Sequence, residues 1–344
     1  MTRTALGVDI GSANIKAATA EGVKRQPSLI ALEEQQNRRG ERSLRVIAWG
    51  EEARKRGVPL RTVREGCAAD VKLLALLLSS AAKEATGRRT AQAIDLYCAL
   101  PGLLPELRRQ AFRQAARLAG FHSFHTVDAS LAGALGAGLG PNGSRARMLV
   151  DIGFETTRCA VIANGGVLFE CMEPFGSSEA DRAIQSCFRE EHGALIGSRV
   201  AEVIKQQLRR SSFLVDARSA ENGLPVSIRA KASHLRRAAE AGSMRLARFV
   251  SDALRALSPD LLSDVSESGV ALIGGGARLL GLPELLSREL GLPVTAAKNA
   301  ETAAADGLRE YLFGEARGRK AAFPFFETDS GSPRNSGMRR EKIQ

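Results

Sequence analysis

The sequence predicts an α/β protein of two domains, the second a diverged copy of the first. Three observations carry this. The chain is 344 residues long, room for two domains at roughly 150 residues each. Short apolar runs alternate with longer amphipathic stretches, the order expected of sheets covered by helices. One motif also occurs twice. The run from Leu6 to Thr19, Leu-Gly-Val-Asp-Ile-Gly-Ser-Ala-Asn-Ile-Lys-Ala-Ala-Thr, is echoed from Met148 to Val161 by Met-Leu-Val-Asp-Ile-Gly-Phe-Glu-Thr-Thr-Arg-Cys-Ala-Val. Each copy reads as a strand, an Asp-Ile-Gly turn and a second strand, with Asp9 and Asp151 at equivalent places.

Taken in order, the first hairpin is followed by a strand-like run, Pro27 to Leu32, and a polar insert, Glu33 to Arg45. Val46 to Gly50 leads into a charged helix, Glu51 to Arg56, and Asp70 to Lys83 has the leucine spacing of an amphipathic helix. Ala93 to Leu100 is a strand. Glu106 to Leu118 is a helix, with Leu107, Ala111, Phe112, Ala115 and Leu118 on one face and Gly120 as its stop. The second half predicts helices over Glu179–Glu191 and Ser198–Arg210, a polar stretch from Ser211 to Gly223, a strand at Pro225–Arg229 and helices covering Ala232–Ala256. A buried strand then runs from Gly269 into Gly274, Gly275 and Gly276. From Gly318 onward Pro, Gly, Ser and charge dominate, so 318–344 is expected to be a disordered basic tail, with Phe323, Phe325 and Phe326 as a docking element.

Composition excludes several classes. With 44% hydrophobic and 25% charged residues the chain is globular rather than disordered or fibrous, and with 5% aromatics its core must be aliphatic. The longest apolar run, Leu73 to Leu78, is six residues, far short of the ~18 that span a bilayer. Asp9 comes too early for a preceding signal peptide, which points to the cytoplasm. Cys67, Cys98, Cys159, Cys171 and Cys187 form no C-x-x-C pair and read as reduced thiols. His122 and His125 lack the neighbours of a metal set.

The net charge of +11 is uneven: residues 21–64 hold eleven basic and six acidic side chains, and the tail from Ala316 seven and three. Such patches attract acidic surfaces, including anionic membrane. Without a nucleic-acid motif or interleaved aromatics, specific nucleic-acid recognition is not expected.

The chemistry lies in the glycine turns. Gly11-Ser12-Ala13-Asn14 follows a strand with the composition that lets backbone N–H groups converge on an anion. Gly153 and Thr156 belong to the second such turn. Asp9 and Asp151, one from each half, are placed to hold the waters of a hydrated Mg²⁺. Gly274-Gly275-Gly276 permits close approach of a flat ring or ribose. A dinucleotide fingerprint is not the alternative, since no G-x-G-x-x-G follows the first strand. The pattern suggests a magnesium-nucleotide clamped between two domains.

These residues resemble the actin superfamily, and within it the MreB/Mbl family of bacterial actins, over roughly residues 5–315. Beyond the turns, Gln26-Pro27-Ser28, Leu100-Pro101-Gly102 with Arg108-Arg109, Leu131–Leu139, Ile196-Gly197 with Glu202 and Lys205, and Gly269–Leu282 are similar to family segments in the family's order. The resemblance implies an actin-like fold of two lobes, duplicated ribonuclease H-like domains around a nucleotide cleft. Lobe I would span 1–146 with 300–317 returning and a small insert at 31–65; lobe II would span 147–299 with an insert at 182–230. It also implies ATP and Mg²⁺ as cofactors, with Glu202 and Lys205 near ribose and base. Self-association into filaments that help determine cell shape is implied too, with cell-shape or cell-wall synthesis proteins as partners and a place at the inner membrane face.

The sequence departs from the family at three places. The second turn carries Phe154 and Glu155 where the family has glycines; Phe154 is expected to restrict backbone approach and Glu155 to bring a carboxylate towards phosphate. The family's catalytic Glu falls on Ala129, leaving Asp128 and Glu155 as the remaining carboxylates. Gly176-Ser177 stands for Gly-Asp. Hydrolysis is therefore expected to be impaired. The family's amphipathic N-terminal helix and apolar membrane loop are also missing, which leaves electrostatic contact as the route to a membrane. The alternatives are a small-molecule kinase of the superfamily and a degenerate, non-hydrolysing scaffold paralogue.

Overall fold

Each Asp-Ile-Gly motif folds as a hairpin, and each hairpin begins a sheet. The computed structural model describes residues 3–36, 42–56, 59–140, 142–314 and 328–329. β1 (Thr4–Ile10) pairs antiparallel with β2 (Asn14–Ala18), setting Asp9 opposite Lys16. β3 (Val23–Pro27) lies outside β2. A separate three-stranded sheet follows, made of β4 (Leu29–Gln36), β5 (Arg42–Trp49) and, after the short α1 (Gly50–Ala53), β6 (Pro59–Arg61). A small hairpin, β7 (Val63–Arg64) and β8 (Cys67–Ala68), leads into α2 (Val71–Thr86). The Asp70 side chain caps α2, accepting from the N–H groups of Lys72 and Leu73 at 2.7 and 2.9 Å. Its Leu74, Leu77, Leu78 and Ala81 are buried together under the sheet. β9 (Ile94–Leu100) runs parallel to β1, and after α3 (Glu106–Leu118), β10 (Ser123–Asp128) runs parallel to β9. α4 (Ala129–Gly136) leaves the end of β10.

The second half repeats this order. β11 (Arg147–Ile152), β12 (Thr157–Ala163) and β13 (Gly166–Glu173) form the meander, with Asp151 opposite Arg158. α5 (Ser178–His192) and α6 (Ser198–Gln206) flank the short β14 (Ala194–Leu195), which joins β15 (Ser212–Ser219) and β16 (Pro225–Lys231) in a second small sheet. The long α7 (Ala232–Arg255) and α8 (Pro259–Ser268) precede β17 (Val270–Ile273), parallel to β11. α9 (Leu282–Leu290) and β18 (Val294–Ala296) complete the sheet, and α10 (Ala303–Phe313) closes the fold. β19 (Thr328–Asp329) pairs with Phe124–His125 at the edge of the first sheet.

The strand orders are β3-β2-β1-β9-β10, with β19 beyond, and β13-β12-β11-β17-β18. In both, three antiparallel strands are followed by two parallel ones. α4 and α10 lie between the two sheets. Ala129 and Ala132 of α4 pack with Val127 and Leu308 on the first sheet's side, while Leu131 and Ala134 pack with Leu149, Ile162 and Ile273 of the second. The helices touch at two glycines, Gly136 and Gly307, each lying against the other's backbone. This layer joins the lobes.

Two stretches read as polar connections are strands. Glu33 to Arg45 contains the pairing of β4 with β5, in which Glu33 faces Arg45; the charge that suggested an insert is carried by a hairpin whose backbone bonds come from strand pairing. Within Ser211 to Gly223, Phe213 and Val215 are buried and their neighbours are not. That is a two-residue period, too short to stand out among polar residues. The predicted tail, apart from Thr328 and Asp329, lies outside the described residues, as do Phe323, Phe325 and Phe326.

Candidate functional site

The two hairpin turns face one another across a cleft of about 570 Å³, lined by both lobes. In the first turn the Gly11 N–H donates to the Asn14 carbonyl at 2.9 Å, and in the second the Gly153 N–H donates to the Thr156 carbonyl at 2.8 Å. The turns are the same in backbone, although Phe154 and Glu155 replace small residues. Neither residue has a positive φ, so a side chain costs the turn nothing. Ser28 holds the first turn, its Oγ donating to the Gly11 carbonyl at 2.7 Å and its N–H to Ala13 at 2.9 Å. The second turn is held by the start of α5: the N–H groups of Ser177 and Ser178 donate to the carbonyls of Gly153 and Phe154, each at 2.9 Å. A Cβ on Gly176 would strike those same carbonyls.

Asp9, Gly11, Ser12, Ala13, Asn14, Asp151, Gly153, Thr156, Glu202, Lys205, Gly274 and Gly275 all line the cleft. Gly276 stands behind the wall, where a Cβ would meet Ile152. Gly274 has φ +82°, a backbone only glycine adopts freely. Lys205 is not a free cation. It forms a buried pair with Asp181 at 2.9 Å and donates to the Ser177 carbonyl at 3.1 Å. Burial pushes the Asp181 carboxyl up, against the pull of Lys205. Glu202 lies 3.9 Å from Arg54 of the opposite lobe.

The positions around hydrolysis differ from expectation. Phe154 turns its ring under Arg61, whose guanidinium lies 4.5 Å from the ring centre and donates to the Ser12 carbonyl at 2.8 Å. The Glu155 carboxylate reaches across the cleft and accepts from the Glu65 N–H at 2.9 Å. This bond joins the lobes. Asp128 caps α4, its Oδ1 accepting from Ser130 and Leu131 N–H at 2.7 and 3.1 Å, and it does not line the cleft. Ala129 does line the cleft.

Four residues escaped the sequence reading. Lys16 and Arg158 line the cleft and bind Asp9 and Asp151 at 2.6 and 2.7 Å. Their signal was readable: each stands seven residues after its aspartate in the repeated motif. Glu170 of β13 is buried and accepts from Ser130 Oγ at 2.9 Å and Leu103 N–H at 3.2 Å. Arg61 comes from the small sheet of the first lobe. Neither Glu170 nor Arg61 has a local pattern that marks it.

Among the described residues no three His, Cys, Asp or Glu side chains gather as a metal-holding group. Asp9 and Asp151 each give one oxygen to a cation and keep the other, a donor set suited to a hydrated ion and not to direct chelation. No helix among the described residues is long and apolar enough to cross a membrane.

The family model described as MreB/Mbl protein matches residues 3–317. The cell shape-determining protein MreB of Escherichia coli (strain K12) is 30% identical over 320 residues, covering 88% of this chain and 91% of that protein. The cell shape-determining protein Mbl of Bacillus subtilis (strain 168) is 27% identical over 310 residues, covering 86% and 91%. Among solved structures, MreB 5 of Spiroplasma citri bound to AMPPNP matches with a TM-score of 0.80 at 22% identity, covering 92% of this chain and 98% of that one. The MamK double helical filament matches at 0.72 and 19% identity, covering 90% and 98%. These structures share the two-lobed α/β fold.

Proposed function

Since the chain belongs to the MreB/Mbl family, we propose that it binds ATP between its lobes and associates into actin-like filaments that help determine cell shape. The observation that carries the reading is the pair of equivalent turns facing each other over one cleft, with the three-glycine turn at its wall. The relative crystallised with AMPPNP has the same fold, and so does the filament-forming relative. In this reading the backbone N–H groups of both turns meet the phosphates and Gly274 and Gly275 the nucleoside. The lobes are two copies of a ribonuclease H-like unit, a reading supported by their equal strand order. Mg²⁺ arriving with the nucleotide would be held through water by Asp9 and Asp151, adding positive charge at the phosphates. Filament contacts are head to tail, with a rotation that does not close a ring. The chain works in the cytoplasm at the inner membrane face, drawn there by its net charge of +11, beside proteins of cell-wall synthesis.

Titration of the full chain with labelled ATP, with negative-stain microscopy at rising protein concentration, tests this. Saturable binding and concentration-dependent filaments are expected. Strictly monomeric protein at high concentration with ATP would remove the cytoskeletal role.

Hydrolysis is slow or absent in this proposal, which favours the scaffold paralogue as the second reading. In-line attack needs an oriented water, and orientation is worth several powers of ten in rate. Ala129 offers no hydrogen bond, Asp128 is a helix cap and Glu155 is held by Glu65. Ala129→Glu, which puts a carboxylate on the cleft wall, is expected to raise ATP turnover about tenfold or more. Unchanged turnover in a variant that still binds ATP would show that the attacking water is oriented elsewhere.

A further inference from the structure

The repeated motif carries an ion pair as well as a turn. Lys16 binds Asp9 at 2.6 Å and Arg158 binds Asp151 at 2.7 Å, each cation directly across its hairpin from its aspartate. All four side chains line the cleft. Cross-strand pairs of opposite charge commonly just steady a sheet, and surface pairs do little more. These two are not surface pairs. The Lys16 and Arg158 side chains are 12% and 7% exposed, and a charge removed from water that far is costly unless it is matched.

Arg158 stands between two carboxylates. Its Nη2 serves Asp151, but its buried Nε–H has no hydrogen-bond partner and stands 3.6 Å from Glu170. Asp151 and Glu170 match its charge in this buried place, and the residue lines the cleft. Guanidinium groups recognise phosphate through paired N–H bonds.

Charge arithmetic at the cleft floor points the same way. Two bare carboxylates there would repel a triphosphate until a divalent ion arrived. Lys16 and Arg158, each paired with one of them, offset that repulsion from within the chain.

We propose that Lys16 and Arg158 are resident counter-cations of the cleft, fixed charges that meet the phosphates of a bound nucleoside triphosphate so that binding survives removal of divalent metal. This rests on the nucleotide reading above and deepens it. Any Mg²⁺ that enters adds to a field the chain already supplies.

The test is equilibrium binding of N-methylanthraniloyl-ATP to the full chain, with Mg²⁺ and with excess EDTA. The wild type is expected to lose no more than about tenfold in affinity on chelation, while Arg158→Gln loses about a hundredfold or more. Arg158→Lys, which keeps the charge, should restore most of the tolerance. Wild-type binding that requires Mg²⁺, or equal sensitivity to EDTA in the wild type and Arg158→Gln, overturns the inference and leaves the nucleotide site standing. Absence of binding in both conditions overturns the nucleotide reading itself. Should Arg158→Gln fail to fold, Lys16→Gln, whose cation lies nearer the solvent, makes the same comparison.

Discussion

Gly307→Val is expected to lower the stability of the whole protein by about 3 kcal/mol or more, beyond the usual cost of overpacking a core. A Cβ at position 307 would overlap the Ala132 carbonyl of α4, and one at Gly136 would overlap the Ala303 carbonyl of α10. The obstacle is backbone on both sides, so no rotamer change relieves it and the helices must separate. Those helices are the layer between the sheets, holding Leu131 and Ala134 against one and Ala132 and Leu308 against the other. Separating them opens both packings at once. Thermal melting followed by circular dichroism should show a fall in Tm of roughly 5–10 °C. Gly22→Ala is the matched control: no atom lies near its Cβ position and its φ is not positive, so it should stay within about 0.5 kcal/mol. A Gly307→Val melt within a degree or two of the wild type would show that this junction yields without cost.

Gly275→Leu is expected to act on the ligand and not on the fold. The three consecutive glycines serve different needs. Gly274 has φ +82°, and its Cβ would meet the Ile152 carbonyl; Gly276 packs on the Ile152 side chain. Gly275 has ordinary φ and nothing near its Cβ position, yet it lines the cleft. A leucine there fills space that a nucleoside would occupy. ATP affinity should fall about a hundredfold or more while the melting temperature stays unchanged. Gly276→Leu should do the reverse and lower the melting temperature, because its side chain enters packed protein. Full affinity in Gly275→Leu would move the nucleoside pocket to another wall of the cleft.

What the sequence determined by itself was everything that rests on short-range pattern. The two hairpins, the helix from Glu106 to Leu118, the helical character from Ala232 and the strand running into Gly274 follow from periodicity and glycine placement, which act within a few residues. The repeat also implies that the two turns share one local geometry; their facing each other is set by the α4–α10 layer between the sheets. The same repeat also held the Asp9–Lys16 and Asp151–Arg158 pairs, since strand register alone sets them opposite each other.

Only the tertiary structure decided where the other charged groups go. Lys205 meets Asp181, 24 residues away; Glu170 meets Ser130, 40 residues away; Glu155 meets the backbone of Glu65, 90 residues away. Nothing local selects those partners. Asp181 and Glu170 are buried, and a carboxylate entering the interior must find a donor among whatever the packed elements bring near it, because leaving it unpaired there costs more than the pairing returns in water. Asp128 shows the same choice at closer range: at the end of β10 its side chain meets the free N–H groups of α4 before it can meet a ligand.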